Sequence, residues 1–226
     1  MVPKLIIWHH LGLGDHIICN GLVHELTARA EQILLPCKTN NTKTVAHLYS
    51  DYPDILVADI GNLDYNGEAS AIVNMSINNN LPLLRIGFTG KNDTPFDEQF
   101  YQQMGVDFEK RWTNFRMPID KTNADLFFNS FIGHDEYALV HNTASIGTYE
   151  LQIDTNLPIY FVDKSLESML DWRTVIENAK EIHCIDSSFI HLVDSLNLSA
   201  NKLVYHDVGR GSIFKLKNEW NGIIYS

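Results

Sequence analysis

Asp15 lies in the stretch His10-Leu11-Gly12-Leu13-Gly14-Asp15-His16. An apolar run, Leu5 to Trp8, leads into this turn, and a helix-like pattern leaves it. A carboxylate at a strand–glycine–helix junction can take the proton of a substrate hydroxyl. It can also cap the free N–H groups of the helix, and the two roles are compatible. Gly12 and Gly14 allow the backbone to approach a ligand closely. His10 and His16 flank the turn and can contact an anion or a sugar. The pair His9-His10 is adjacent at a strand end and points to opposite sides, and it lacks the i, i+4 spacing of helical metal ligands. These histidines therefore read as substrate-lining residues, with no metal. A dinucleotide fingerprint would need a third glycine where Ile17 stands, and an acidic residue where Pro36-Cys37-Lys38 ends the second strand.

A second constellation lies at residues 181–196, Glu-Ile-His-Cys-Ile-Asp-Ser-Ser-Phe-Ile-His-Leu-Val-Asp-Ser-Leu. A strand ends at Ile185 and Asp186-Ser187-Ser188 opens a helix. His191 follows Ser187 and Ser188 at i+4 and i+3. Hydroxyls, free helix N–H groups and an imidazole on one exposed corner would make an anion site. The plainer alternative is that Ser187 caps and His191 is solvated. A third stretch runs from a strand into His141-Asn142-Thr143-Ala144-Ser145, where small polar residues suit a diphosphate or any turn. Asp163 ends the next strand, whose edge could meet a nucleoside, with Asp171 or Trp172 nearby. Arg210 sits in a glycine-flanked loop after the strand Leu203–His206 and could hold a phosphate. The sequence contains no D-x-D triplet. A diphosphate would then be held by helix tips, hydroxyls and cationic side chains.

The elements that must position these groups are short apolar runs alternating with helical stretches. Strands are expected at Lys4–Trp8, Gln32–Pro36, Ile55–Asp59, Ser70–Asn74, Leu83–Gly87, Tyr137–Asn142, Pro158–Asp163, Glu181–Ile185 and Leu203–His206. Their unbroken apolar character suits parallel strands covered on both faces. Helices are expected at His16–Arg29, Lys43–Ser50, Asp97–Phe108, Asp171–Lys180 with Asp171 as cap, and Ser187–Leu196. Alternation of this kind predicts an α/β fold with parallel sheets. Residues 110–133 carry no strand and separate two such series. The chain should therefore form two Rossmann-like domains, 1–125 and 126–226.

The 226 residues include 17 Lys plus Arg and 28 Asp plus Glu, a formal charge of −11. A surface this acidic argues against nucleic acid and anionic lipid as partners, though not against a small anion in a local positive pocket. Cys19, Cys37 and Cys184 are far apart and read as free thiols of a reducing cytosol. No apolar run is long enough for a transmembrane helix, and the first residues do not resemble a signal peptide, so a cytoplasmic protein is expected. Nothing indicates the oligomeric state.

Gly12-Leu13-Gly14-Asp15 together with Asp186-Ser187-Ser188 and His191-Leu192 resembles the paired motifs of heptosyltransferase-like GT-B glycosyltransferases, family 9 and its small relatives. Ser188 stands where the second motif has glycine, and no lysine matches the family's donor-binding lysine. The resemblance implies two Rossmann-like domains facing a cleft, with the acceptor on the first and a nucleotide-diphosphate sugar on the second. It implies Asp15 as the base. Acceptor contacts fall on Gly12, Gly14, His10 and His16. Donor contacts fall on His141, Ser145, Asp163, Ser187, Ser188, His191 and Arg210. The implied activity is metal-independent, inverting transfer of a sugar to a glycan or glycoconjugate hydroxyl, with no cofactor. Alternatives are a non-catalytic nucleotide- or glycan-binding module of the same fold and, less well supported, an NAD-dependent oxidoreductase.

Overall fold

The computed structural model describes residues 2–88, 94–133, 135–163, 166–198, 202–211 and 213–225. The chain divides into two compact units, Met1–Ile119 and Asp120–Ser226. A division after residue 125 would cut through a helix, Thr122–Phe131.

The first unit contains β1 (Val2–Trp8), α1 (Leu13–Ile18), α2 (Asn20–Leu26), β2 (Ala30–Cys37), α3 (Thr39–Leu48), β3 (Ile55–Asp59), α4 (Tyr65–Asn79), β4 (Leu83–Arg85), α5 (Phe96–Met104) and α6 (Lys110–Thr113). Its sheet has the order β3-β2-β1-β4, and every pairing is parallel. One face is covered by α4, whose Ile72, Ala69 and Met75 pack with Ile6, Trp8 and Leu34. Leu5 and Ile7 alternate to the other face and are also buried.

Two expectations change here. The expected helix His16–Arg29 begins earlier and breaks at Cys19, and it ends in a 3-10 turn, Thr27–Arg29. The expected strand Ser70–Asn74 lies inside α4. The Ala71-Ile72-Val73 triplet favours a strand locally, but burial recurs at helical spacing and the ends are helical. Asp64 accepts the Gly67 N–H at the N-terminus, and Asn80 adopts the left-handed conformation at the C-terminus.

Residues 110–133, expected only to lack strands, contain α6 and α7 (Thr122–Phe131). Close packing locks α5 and α6 against α2. The Tyr101 hydroxyl donates to the Ile18 carbonyl at 2.8 Å and accepts the Leu22 N–H at 3.2 Å. Arg111 and Asp97 form an ion pair with both side chains fully buried. Gly21 makes this approach feasible, because a Cβ there would lie 2.0 Å from the Lys110 carbonyl oxygen.

The second unit contains α7, β5 (Ala138–His141), the hairpin β6 (Thr143–Ala144) and β7 (Gly147–Thr148), β8 (Ile159–Phe161), a 3-10 turn at Met169–Trp172, α8 (Arg173–Asn178), β9 (Glu181–Ile185), α9 (Ser188–Ser195), β10 (Lys202–Asp207) and β11 (Asn221–Ile224). Its sheet has the order β11-β10-β9-β5-β8, again all parallel. Ser168 caps the turn before α8, its hydroxyl oxygen accepting the Leu170 N–H at 3.2 Å, so Asp171 is not the cap. β11 follows the strand that the sequence reading took as last. The segment before it is anchored by Asp194, fully buried on α9, whose carboxylate accepts the N–H groups of Lys217, Asn218 and Trp220 Nε1.

Candidate active site

In the first unit the turn after β1 brings Asp15 to the carboxyl end of the sheet. Gly12 is the N-cap of α1, so Asp15 lies in the first helical turn and not at the cap itself. Its carboxylate folds back onto the N–H groups of Gly12 and of Asp15 itself. A Cβ on Gly12 would come within 2.6 Å of Asp15 Oδ2, so a larger residue here would displace the carboxylate. Gly14 falls within the first turn of α1.

Burial raises the Asp15 carboxyl to about 6, against the opposing pull of His10, the two N–H groups and Lys38. Lys38 itself is held 2.6 Å from Glu68.

His10 is exposed, as a surface-lining residue must be. Its Nε2 lies 3.0 Å from the Gly87 carbonyl oxygen, and its ring packs 4.7 Å from Phe88. His16 does not share this position. It is fully buried, edge-on to buried His9 with ring centroids 4.5 Å apart. Burial holds both imidazoles neutral, His9 at about 4 and His16 well below its usual value. His16 therefore cannot line an acceptor surface.

In the second unit the carboxyl ends of β5 and β9 lie side by side. Ser187 does not cap α9 with its side chain. Its Oγ is instead 3.1 Å from His141 Nδ1, and the His141 ring stacks on Phe189 at 4.7 Å. Ser188 is half-buried, with Oγ 3.9 Å from Met169 Sδ.

His191 was expected on an exposed corner, but it is only 3% exposed and lies edge-on to Phe214. The residues of α9 from Phe189 to Asp194 are all buried, so the helix is covered on every side and has no exposed face for His191. Arg210 reaches back and donates Nη1 to the Asp186 carbonyl. The Asp186 side chain is buried, and its Oδ2 has no partner among the described residues.

A pocket of about 500 Å³ opens beside this corner, lined by His141, Asn142, Thr143, Thr148, Phe161, Val162 and Asp163. The β6–β7 hairpin forms one wall, closed by a 3.2 Å contact between the Thr143 and Thr148 hydroxyls. Phe161 is half exposed on β8. Ser145 sits at the exposed hairpin tip and does not line the pocket.

Sequence reasoning passed over Lys38 and Arg85. Both are cations immediately beyond or at the carboxyl end of a strand, and that placement was the available signal. Among the described residues no cluster of three or more His, Cys, Asp or Glu could hold a metal ion. No helix there is long and apolar enough to cross a membrane.

No family model matches the sequence, and no curated protein does. Solved structures do match along the whole chain. A family 9 glycosyl transferase from Veillonella parvula superposes with a TM-score of 0.60 at 10% identity, covering 99% of this chain and 85% of that one. The E. coli ADP-heptose lps heptosyltransferase II gives 0.57 at 11% identity, covering 98% and 90%. E. coli heptosyltransferase WaaC with ADP gives 0.55 at 9% identity, covering 100% and 94%. The fold of this chain is thus the GT-B glycosyltransferase fold, with two parallel sheets and flanking helices.

Proposed function

We propose that the protein is a metal-independent glycosyltransferase that moves a sugar from a nucleotide-diphosphate sugar to a hydroxyl of a glycan or glycoconjugate, with inversion. The observation that carries this reading is Asp15, a carboxyl at the carboxyl end of a parallel sheet, raised to about 6 yet held in place by two backbone N–H groups. Such a group is ionised at neutral pH and basic enough to take a hydroxyl proton.

In the transfer, the acceptor oxygen loses its proton to Asp15 and bonds to the anomeric carbon. The bond from that carbon to the diphosphate oxygen breaks, and its electron pair leaves with the nucleoside diphosphate. The N-terminus of α9, the Ser187 and Ser188 hydroxyls and Arg210 supply the positive and donor groups for that developing charge. The pocket of His141, Phe161 and Asp163 suits the nucleoside: Phe161 for stacking, Asp163 for ribose hydroxyls. His191, buried against Phe214, supports this corner from behind.

A second reading, a module that binds a nucleotide without turnover, is favoured by one observation. The Arg210 guanidinium is already engaged by the Asp186 carbonyl.

A thermal-shift screen with ADP, GDP, UDP and CDP, followed by hydrolysis of the matching nucleotide sugar, tests both. ADP belongs in the screen because a matched E. coli heptosyltransferase was solved with it. Stabilisation with turnover supports the transferase, stabilisation without turnover supports the module, and no stabilisation by any nucleotide removes both.

A further inference from the structure

We infer that Arg85 is an oxyanion-binding residue that selects acceptors carrying a phosphate or carboxylate group. The inference rests on the transferase reading for the word acceptor, but the binding it describes can be measured without turnover.

Arg85 ends β4, in register with Trp8 at the end of β1. Its guanidinium lies over two rings, 4.8 Å from the centroid of Trp8 and 4.1 Å from that of Phe88. Nη2 donates to the Tyr65 hydroxyl at 2.8 Å. Stacking and this hydrogen bond fix the plane of the fork while the residue stays exposed.

No carboxylate pairs with Arg85 among the described residues, in a chain with 28 acidic and 17 basic side chains. The acids near this rim are engaged elsewhere. Glu68 holds Lys38. Asp59 accepts from the Thr39 hydroxyl and the Gly61 N–H. Asp64 accepts from the Gly67 N–H. A pre-organised guanidinium left without a carboxylate is built to receive one, or a phosphate, in bidentate fashion.

The same rings connect Arg85 to the base. Phe88 contacts both the guanidinium and the His10 ring, 4.1 Å from one and 4.7 Å from the other. His10 in turn is close enough to influence the charge of Asp15. A sugar with its reacting hydroxyl at Asp15 and an oxyanion on a neighbouring carbon or residue would span this row of side chains.

The test is equilibrium binding of glucose 6-phosphate, glucuronate and glucose to the full chain, read by NMR line shifts, in the native protein and in Arg85→Gln. At low salt each charged sugar should bind at least about tenfold more tightly than glucose, corresponding to about 1.4 kcal/mol. Arg85→Gln should erase that preference without shifting Tm by more than a degree or two, since the residue is exposed. Arg85→Lys should retain only part of it. A preference for glucose 6-phosphate alone identifies phosphate as the group read, and a preference for both identifies any oxyanion. No binding of either charged sugar, equal binding of all three, or a preference that survives in Arg85→Gln overturns the inference. Nucleotide stabilisation of the second unit, measured on the same samples, reports separately on the transferase reading.

Discussion

Asp15 carries two opposed demands. In the proposed transfer it must be ionised to take a proton, yet burial disfavours its charge and lifts its carboxyl to about 6. Because the folded value lies above the unfolded value of 3.8, the group favours the fold at low pH, and that contribution is lost as pH rises through about 6. Asp15→Asn should therefore raise Tm by a few degrees at pH 8 and leave it unchanged near pH 4. The same variant should lose transfer activity by about 100-fold or more. On the transferase reading, kcat/KM of the native protein should fall below a pH of about 6 as Asp15 takes up a proton. Full activity in Asp15→Asn, or a pH-independent rate between 5 and 8, would remove the residue from the mechanism. Sequence reading singles out Asp15 because glycine turns at strand ends are conspicuous. It passes over Arg85, whose surroundings of Trp8, Phe88 and Tyr65 are gathered from separate stretches of the chain.

At the scale of elements, parallel pairing was legible wherever an apolar run was long enough to be buried on both faces, as in β1, β2 and β9. It failed where local preference and tertiary packing diverge. Ala71-Ile72-Val73 prefers a strand, but Ile72 is drawn into the core on a helix. β11, four residues with a glycine, carries too little apolar signal to read, and it exists because β10 offers an edge. His191 looked solvated because its partner Phe214 lies beyond a whole strand in sequence. The contact between α2 and α6 yields a sharp expectation. Gly21→Ala would force its Cβ against the Lys110 carbonyl and should destabilise by about 3 kcal/mol. Gly105→Ala meets nothing within 4 Å, and its strain at φ +64° should cost only about 1 kcal/mol. Urea midpoints of the two variants would rank them, and equal loss would mean that the close approach is relaxed in solution.

For the molecule as a whole, the acidity of the sequence conceals a set of neutral histidines. Burial lowers His9, His24 and His206 to about 4, His16 well below its usual value and His183 in the same direction. Each stays uncharged in the fold, while the unfolded chain takes up a proton near 6.5. Their stabilisation is complete above that value and is lost as pH falls toward 4, opposed only in part by Asp15. Urea titrations at pH 8, 6 and 5 should show stability falling below pH 6.5 by on the order of 2 kcal/mol per pH unit. A flat profile would mean that these imidazoles are reached by solvent. Composition alone gave the net charge and none of this, because a histidine's state depends on what surrounds it.

The Asp194 clamp has a consequence for how the protein is made. A fully buried carboxylate in α9 stays without its donors until Lys217, Asn218 and Trp220 have been synthesised, and β10 lacks its neighbour until β11 follows. The first unit draws all its strands from the earlier half of the chain and can close while translation continues. The second unit must wait, half-assembled, for its last strand to leave the ribosome. A stalled or shortened chain would thus present a finished first unit joined to an open, aggregation-prone sheet.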